Sequence, residues 1–136
     1  MEPRYLIDSN AVIDYLMGKL PDSSLVFMNE VINNIPNVSV ITKIEVLGFN
    51  DTSDSMTLLK DFFNDASVLG ISDVVVDKTI ELRKIHKIKL PDALIAATAL
   101  TGKLSIITRN TSDFKNIEGL DTIDPHDLPH QGGAFS

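Results

Sequence analysis

Two rhythms of apolar residues alternate along this chain: short unbroken runs, and longer stretches in which apolar positions recur every three or four residues. Arg4 to Ile7 is a short apolar run ending in Asp8, the mark of a buried strand. Asn10 to Met17 reads as a helix closed by Gly18. A second helix spans 22–35, with N-cap chemistry from Asp22 and Ser23 and with Leu25, Met28, Ile32 and Ile35 at helical spacing. Asn37 to Ile41 is a strand, and Thr42 opens a short helix through Leu47. Residues 54–66 place Met56, Leu59, Phe62, Phe63 and Ala66 on one helical face. Ser67 to Ile71 reads as a strand and Asp73 to His86 as a helix. Pro91 starts a helix that runs to Leu100, with Gly102 as its C-terminal stop. Leu104 to Ile107 is a strand, Leu120 to Ile123 a weaker one, and 125–136 an extended tail rich in Pro and Gly.

Strands that alternate with helices require crossover connections, so the pattern predicts an α/β fold. Its sheet is mainly parallel, has about five strands and is covered on both faces. The 136 residues suit one domain, 1–124, followed by the tail. A hydrophobic fraction of 43% is enough for one core. No run approaches the roughly 20 apolar residues of a membrane span, and the N-terminus lacks the parts of a signal peptide. The absence of cysteine excludes disulfides and thiolate metal sites and fits a cytoplasmic location.

A net charge of −7 argues against a protein that coats nucleic acid. The objection weakens for a metal-dependent enzyme, because two divalent ions would offset four charges where a phosphate binds. Four acids carry that idea. Asp8, Glu45, Asp92 and Asp113 each sit where a strand ends or a helix begins, and in an α/β fold these places converge on one sheet edge. Carboxylates gathered there repel one another unless a hard cation lies between them, and a metal held by carboxylates points to phosphodiester hydrolysis.

Each acid also has a local structural explanation. Asp8 can cap the helix that follows, although Asn10 can take that role and free it. Glu45 stands three residues after Thr42, a capping-box spacing. Asp92 follows Pro91 in a first helical turn, where the helix dipole favours negative charge. Its neighbours Ala93, Ala96, Ala97 and Ala99 give a thin-sided helix able to approach the sheet closely. Asp113 belongs to a polar turn in which Asn110 or Thr111 caps and Phe114 anchors. Asn110 is a further oxygen donor, direct or through water, and Ser9, Thr108 and Arg109 are candidate phosphate contacts. Asp14 reads as a solvated helix position with second-shell support as the alternative, and Pro129 argues against a zinc pair at His126 and His130.

Four segments carry a family likeness: Leu6-Ile7-Asp8-Ser9-Asn10, Thr42-Lys43-Ile44-Glu45-Val46, Pro91 to Ala99, and Thr108-Arg109-Asn110-Thr111-Ser112-Asp113-Phe114. On these residues the chain resembles the PIN-domain nucleases, and especially the VapC-type toxins of toxin–antitoxin pairs. The resemblance implies a three-layer α/β/α sandwich and an endoribonuclease site dependent on Mg²⁺ or Mn²⁺. It puts Asp8, Glu45, Asp92 and Asp113 on the family's acidic positions, and Asn110 where relatives carry an amide or another acid. It further implies an RNA substrate, a cognate antitoxin that inserts a segment near the active site, and a homodimer. Three alternatives remain open: a PIN nuclease of RNA processing, a catalytically silent binding module and an aspartyl-phosphate domain. The last fits poorly, because Asn10 stands where its dehalogenase form has a second acid.

Overall fold

The computed structural model describes residues 4–49 and 54–128. Five strands, β1 (Tyr5–Ile7), β2 (Asn37–Ser39), β3 (Ser67–Leu69), β4 (Ser105–Ile107) and β5 (Thr122–Ile123), form one sheet in the order β3-β2-β1-β4-β5. Every pairing is parallel; Tyr5, Leu6 and Ile7 lie opposite Ser105, Ile106 and Ile107. The chain first builds outward from β1 to β3 and then returns to β1's other side with β4. That reversal leaves a crevice between the C-terminal ends of β1 and β4, the place where open α/β sheets bind ligands.

Six helices cover the sheet: α1 (Ser9–Leu16), α2 (Asp22–Asn33), α3 (Val40–Leu47), α4 (Ser55–Asp65), α5 (Asp73–Ile85) and α6 (Leu90–Gly102). A short 3₁₀ turn, Thr111–Phe114, lies between β4 and β5. Side chains alternate across the pleat, so neighbouring residues of one strand serve opposite layers. Leu6 and Ile106 pack with Val75 and Leu82 of α5 and Ile95, Ala96 and Ala99 of α6. Ile7 and Ile107 pack on the other face with Ala11 and Val12 of α1, Met28 of α2, Val46 of α3 and Phe62 and Phe63 of α4. Two separate apolar clusters with the sheet between them make the three-layer sandwich.

Several expected boundaries shift. The second helix ends at Asn33; Ile35, expected on its apolar face, is exposed in the left-handed region (φ 53°), immediately before Pro36. Pro21 occupies that helix's N-cap and no side chain caps it, contrary to the expectation for Asp22 and Ser23. At the end of α6 the left-handed residue is Lys103 (φ 55°), not Gly102. Glycine at 102 serves close approach instead, since a Cβ there would lie 3.3 Å from the Leu104 side chain. The tail expected from 125 is described only to Leu128, and 129–136 lie outside the described residues, as does His130.

Ala93, Ala96, Ala97 and Ala99 are all fully buried, as expected for a helix set close against the sheet. Ala96→Leu should therefore destabilise the fold by about 1–3 kcal/mol through overpacking. Thr101→Ala, on the exposed side of α6, should stay within about 0.5 kcal/mol of the parent. Chemical denaturation of both variants checks this, and equal midpoints would show that α6 has room to spare.

Candidate functional site

Asp8 leaves the end of β1 and becomes the N-cap of α1. Its Oδ1 accepts from the Ser9 N–H (2.8 Å) and its Oδ2 from the Thr108 hydroxyl (2.9 Å), while its own N–H donates to the Ile107 carbonyl (2.9 Å). Asn10 thus does not take the capping role expected of it. It bridges α1 to the segment after β4 instead: its Oδ1 accepts from the Arg109 N–H (2.8 Å) and its Nδ2 donates to Thr108 Oγ1 (3.1 Å). Thr108, read as a phosphate contact, is fully buried, and its hydroxyl also accepts from the Asn110 N–H (3.1 Å). That oxygen is spent on scaffolding and has nothing left for a substrate.

Glu45 has no capping-box role. Ser39 caps α3, its Oγ accepting from the Ile41 N–H (3.0 Å), and Thr42 lies inside the helix, buried, with its hydroxyl unpartnered among the described residues. Because α3 starts two residues earlier than expected, Glu45 falls in its middle and reaches across to α1, where Ser9 Oγ donates to its Oε1 (2.8 Å). Asp92 stands in the first turn of α6 after Pro91, half-buried. Asp113 lies in the 3₁₀ turn, anchored by buried Phe114. Asn110 precedes that turn without a side-chain cap bond, so its amide remains on the cleft wall.

All four acids line one cleft of about 410 Å³, together with Ser9, Asn110 and Arg109. A larger cavity of about 720 Å³ lies by the opposite ends of the strands, near Tyr5, Asn37 and Ser67, but Glu30 is the one carboxylate on its walls. The smaller cleft is thus the acidic one. Its charges act on one another. Burial pushes the Asp8 carboxyl up, the bonds from Ser9 and Thr108 partly restrain it, and Glu45 and Asp113 push it further. Asp92 is pushed up to about 6, first by burial and then by Asp113, Asp8 and Glu45, with Lys89 opposing.

The donor set is oxygen only, which suits a hard divalent cation and not zinc held by thiolate or imidazole. Among the described residues no three acids or histidines close on a single point. The acids thus share one cleft without forming a closed ligand set, and an ion there would be reached through water as well as directly. Asp8, Glu45, Asp92 and Asp113 are the residues that would hold the ion, with Asn110 beside them.

Two features escaped the sequence reading. Asp14 is not solvated but 3% exposed, and its carboxylate holds Arg109 (Nη1 to Oδ2, 3.1 Å) and His126 (Nε2 to Oδ2, 2.7 Å). The available signal was its helical phase: Asp14 lies three residues after buried Ala11, on the same face of α1. Nothing in the local sequence marked His126.

The model of the PIN domain family matches residues 5–120. Among solved structures, the chain is similar to one in a toxin–antitoxin complex from Klebsiella pneumoniae, with 28% identity and a TM-score of 0.70 over 91% of this chain and 99% of that one. It is also similar in fold to chains of VapBC-1 from nontypeable Haemophilus influenzae (24%, TM-score 0.73, 90% and 98% covered). DNA-bound VapBC from Salmonella typhimurium gives 22% identity and a TM-score of 0.74, over 91% and 99%. Among curated proteins no significant match is found.

Asp8 and Asp92 carry native values above their unfolded ones. From about pH 4 to about 6 the folded protein therefore binds more protons than the unfolded chain, and stability falls as pH rises. Asp92→Asn removes one of these groups. In chelator, the melting temperature of the parent should fall relative to that of Asp92→Asn across this window, and parallel curves would show that burial and the neighbouring acids do not raise Asp92.

Proposed function

The chain belongs to the PIN domain family, and from its acidic cleft we propose that it is a metal-dependent endoribonuclease, the toxin of a toxin–antitoxin pair. The observation that carries this reading is the meeting of Asp8, Glu45, Asp92 and Asp113 in one cleft at the reversal of strand order. When bound, Mg²⁺ or Mn²⁺ supplies Lewis-acid charge and lowers the pKa of a water. The protein's part is placement. Thr108 and the Ser9 N–H fix the Asp8 carboxylate, Ser9 Oγ orients Glu45, and α6 presents Asp92 from its first turn. Asn110 adds an amide oxygen, and Arg109 contributes a planar set of donors suited to phosphate oxygens. Ser9 lines the cleft with its hydroxyl given to Glu45.

The resemblance to a chain from a toxin–antitoxin complex supports a cognate antitoxin as the protein partner. The family resemblance further implies a homodimer and a cytoplasmic location. Separately, no described helix is long and apolar enough to cross a membrane.

Incubation with structured RNAs in Mg²⁺ or Mn²⁺, with mapping of the cuts, should show endonucleolytic cleavage that chelation abolishes. Asp8→Asn and Asp92→Asn should each lower it at least about a hundredfold with circular dichroism unchanged. Full cleavage by Asp92→Asn in Mg²⁺ would reject the assignment.

Binding should also be visible without turnover. A hundredfold excess of Mn²⁺ over its dissociation constant stabilises the native state by about 2.7 kcal/mol. Thermal melting should rise accordingly in the parent and much less in Asp92→Asn; a flat titration of the parent would mark a silent module.

A further inference from the structure

Arg109 shares the cleft wall with five carboxylates and with Lys19. Among the described residues it pairs with one of them, buried Asp14 of α1. Its grip on Asp14 is mainly through one nitrogen, Nη1, at 3.1 Å from Oδ2 and 3.5 Å from Oδ1, and 52% of its side chain is exposed. The rest of the guanidinium fork is uncommitted among the described residues. Without Asp14, attraction would draw this cation onto Asp8, Glu45, Asp92 or Asp113 and neutralise the carboxylates that await a metal.

His126 completes the arrangement from a distant part of the chain. A carboxylate only accepts, so Nε2 carries the hydrogen in its 2.7 Å bond to Asp14 Oδ2. The segment that delivers it is itself pinned. The His126 N–H donates to Asp124 Oδ1 (2.8 Å), Pro125 is fully buried, and the Pro125 carbonyl accepts from the Ser24 hydroxyl of α2. With Oδ2 shared in this way, Asp14 is satisfied without calling on both nitrogens of the fork. If His126 were lost, the buried carboxylate would pull Arg109 into a two-pronged pair and take a second donor away from the cleft.

We propose that Asp14 and His126 are positioning residues that hold the Arg109 guanidinium at the rim of the cleft with donors available for an RNA phosphate, making the segment after β5 a working part of the site. This rests on the nuclease reading.

The test measures binding of a fluorescein-labelled 2′-O-methyl RNA oligonucleotide by anisotropy in Mg²⁺ over a salt series, beside cleavage kinetics on unmodified RNA. Arg109→Ala should weaken binding roughly tenfold and reduce the salt slope by about 0.7, the share of one contact on a single strand. His126→Ala should shift affinity the same way, raise KM more than it lowers kcat, and melt close to the parent. His126→Gln, which keeps a donor, should restore part of the loss, whereas Arg109→Lys should not replace the fork. The double variant Arg109→Ala/His126→Ala should bind no worse than Arg109→Ala alone. Parental affinity in His126→Ala while Arg109→Ala binds weakly, or additive losses in the double variant, would overturn this inference and leave the nuclease reading standing. A parent that neither binds nor cuts RNA would bring down both.

Discussion

Mutual repulsion among carboxylates confined to one cleft is the constraint around which this structure is arranged. A protein can cancel such repulsion by pairing each acid with lysine or arginine, but among the described residues no ion pair falls on Asp8, Glu45, Asp92 or Asp113. Their partners are neutral donors, the Ser9 N–H, the Asn10 amide and the hydroxyls of Thr108 and Ser9. Neutral hydrogen bonds fix direction without cancelling charge. The negative potential is left uncancelled, and it adds to burial, the larger cause, in pushing Asp8 and Asp92 up. Such a site favours a cation from solution over one of its own.

Sheet topology makes the confinement possible. Because all five strands are parallel, every strand delivers its following residues to the same edge, and the return from β3 to β4 places Thr108 beside Asp8. The two residues are a hundred positions apart in sequence, yet one hydrogen bond joins them. The buried run Ile106-Ile107-Thr108 shows how the core and the site share a strand: Ile106 serves one apolar layer, Ile107 the other, and the next residue turns its hydroxyl to the acid.

This shared construction explains what was legible in the sequence. The apolar runs of β1 and β4 and the alanine-lined helix α6 depend on burial, which composition and spacing report directly. The gathering of Asp8, Asp92 and Asp113 followed from placing acids at strand ends and helix starts, whereas Glu45 reaches the same cleft from inside α3. The hydrogen-bonding roles did not follow. Asp8 and Asn10 are equally good caps by type, and Thr108, nearly a hundred residues from Asn10, decides between them by bonding to both. Thr42-x-x-Glu45 has capping-box spacing, but Ser39 starts the helix sooner and the pattern is left inside it. Asp14 looked solvated because both its partners, Arg109 and His126, come from the far end of the chain.

Burial sorts the acids of this region into two kinds. Asp14 is shut away from water, where an unpaired charge is prohibitive, and it has both an arginine and a histidine. Glu45 and Asp113 are exposed and Asp92 half-buried, so water supports them and no cation is required. Asp8 is intermediate: nearly as buried as Asp14, it is served by neutral donors instead. One wall of the cleft thus holds Arg109, fixed by Asp14, Lys19 also lines it, and Asp8, Glu45, Asp92 and Asp113 carry no ion pair among the described residues. On the nuclease reading, a phosphodiester bound there would meet both guanidinium donors and carboxylate oxygens available to a metal. An acidic protein can in this way receive a polyanion, since attraction is needed only at the bond to be cut and not over the whole surface.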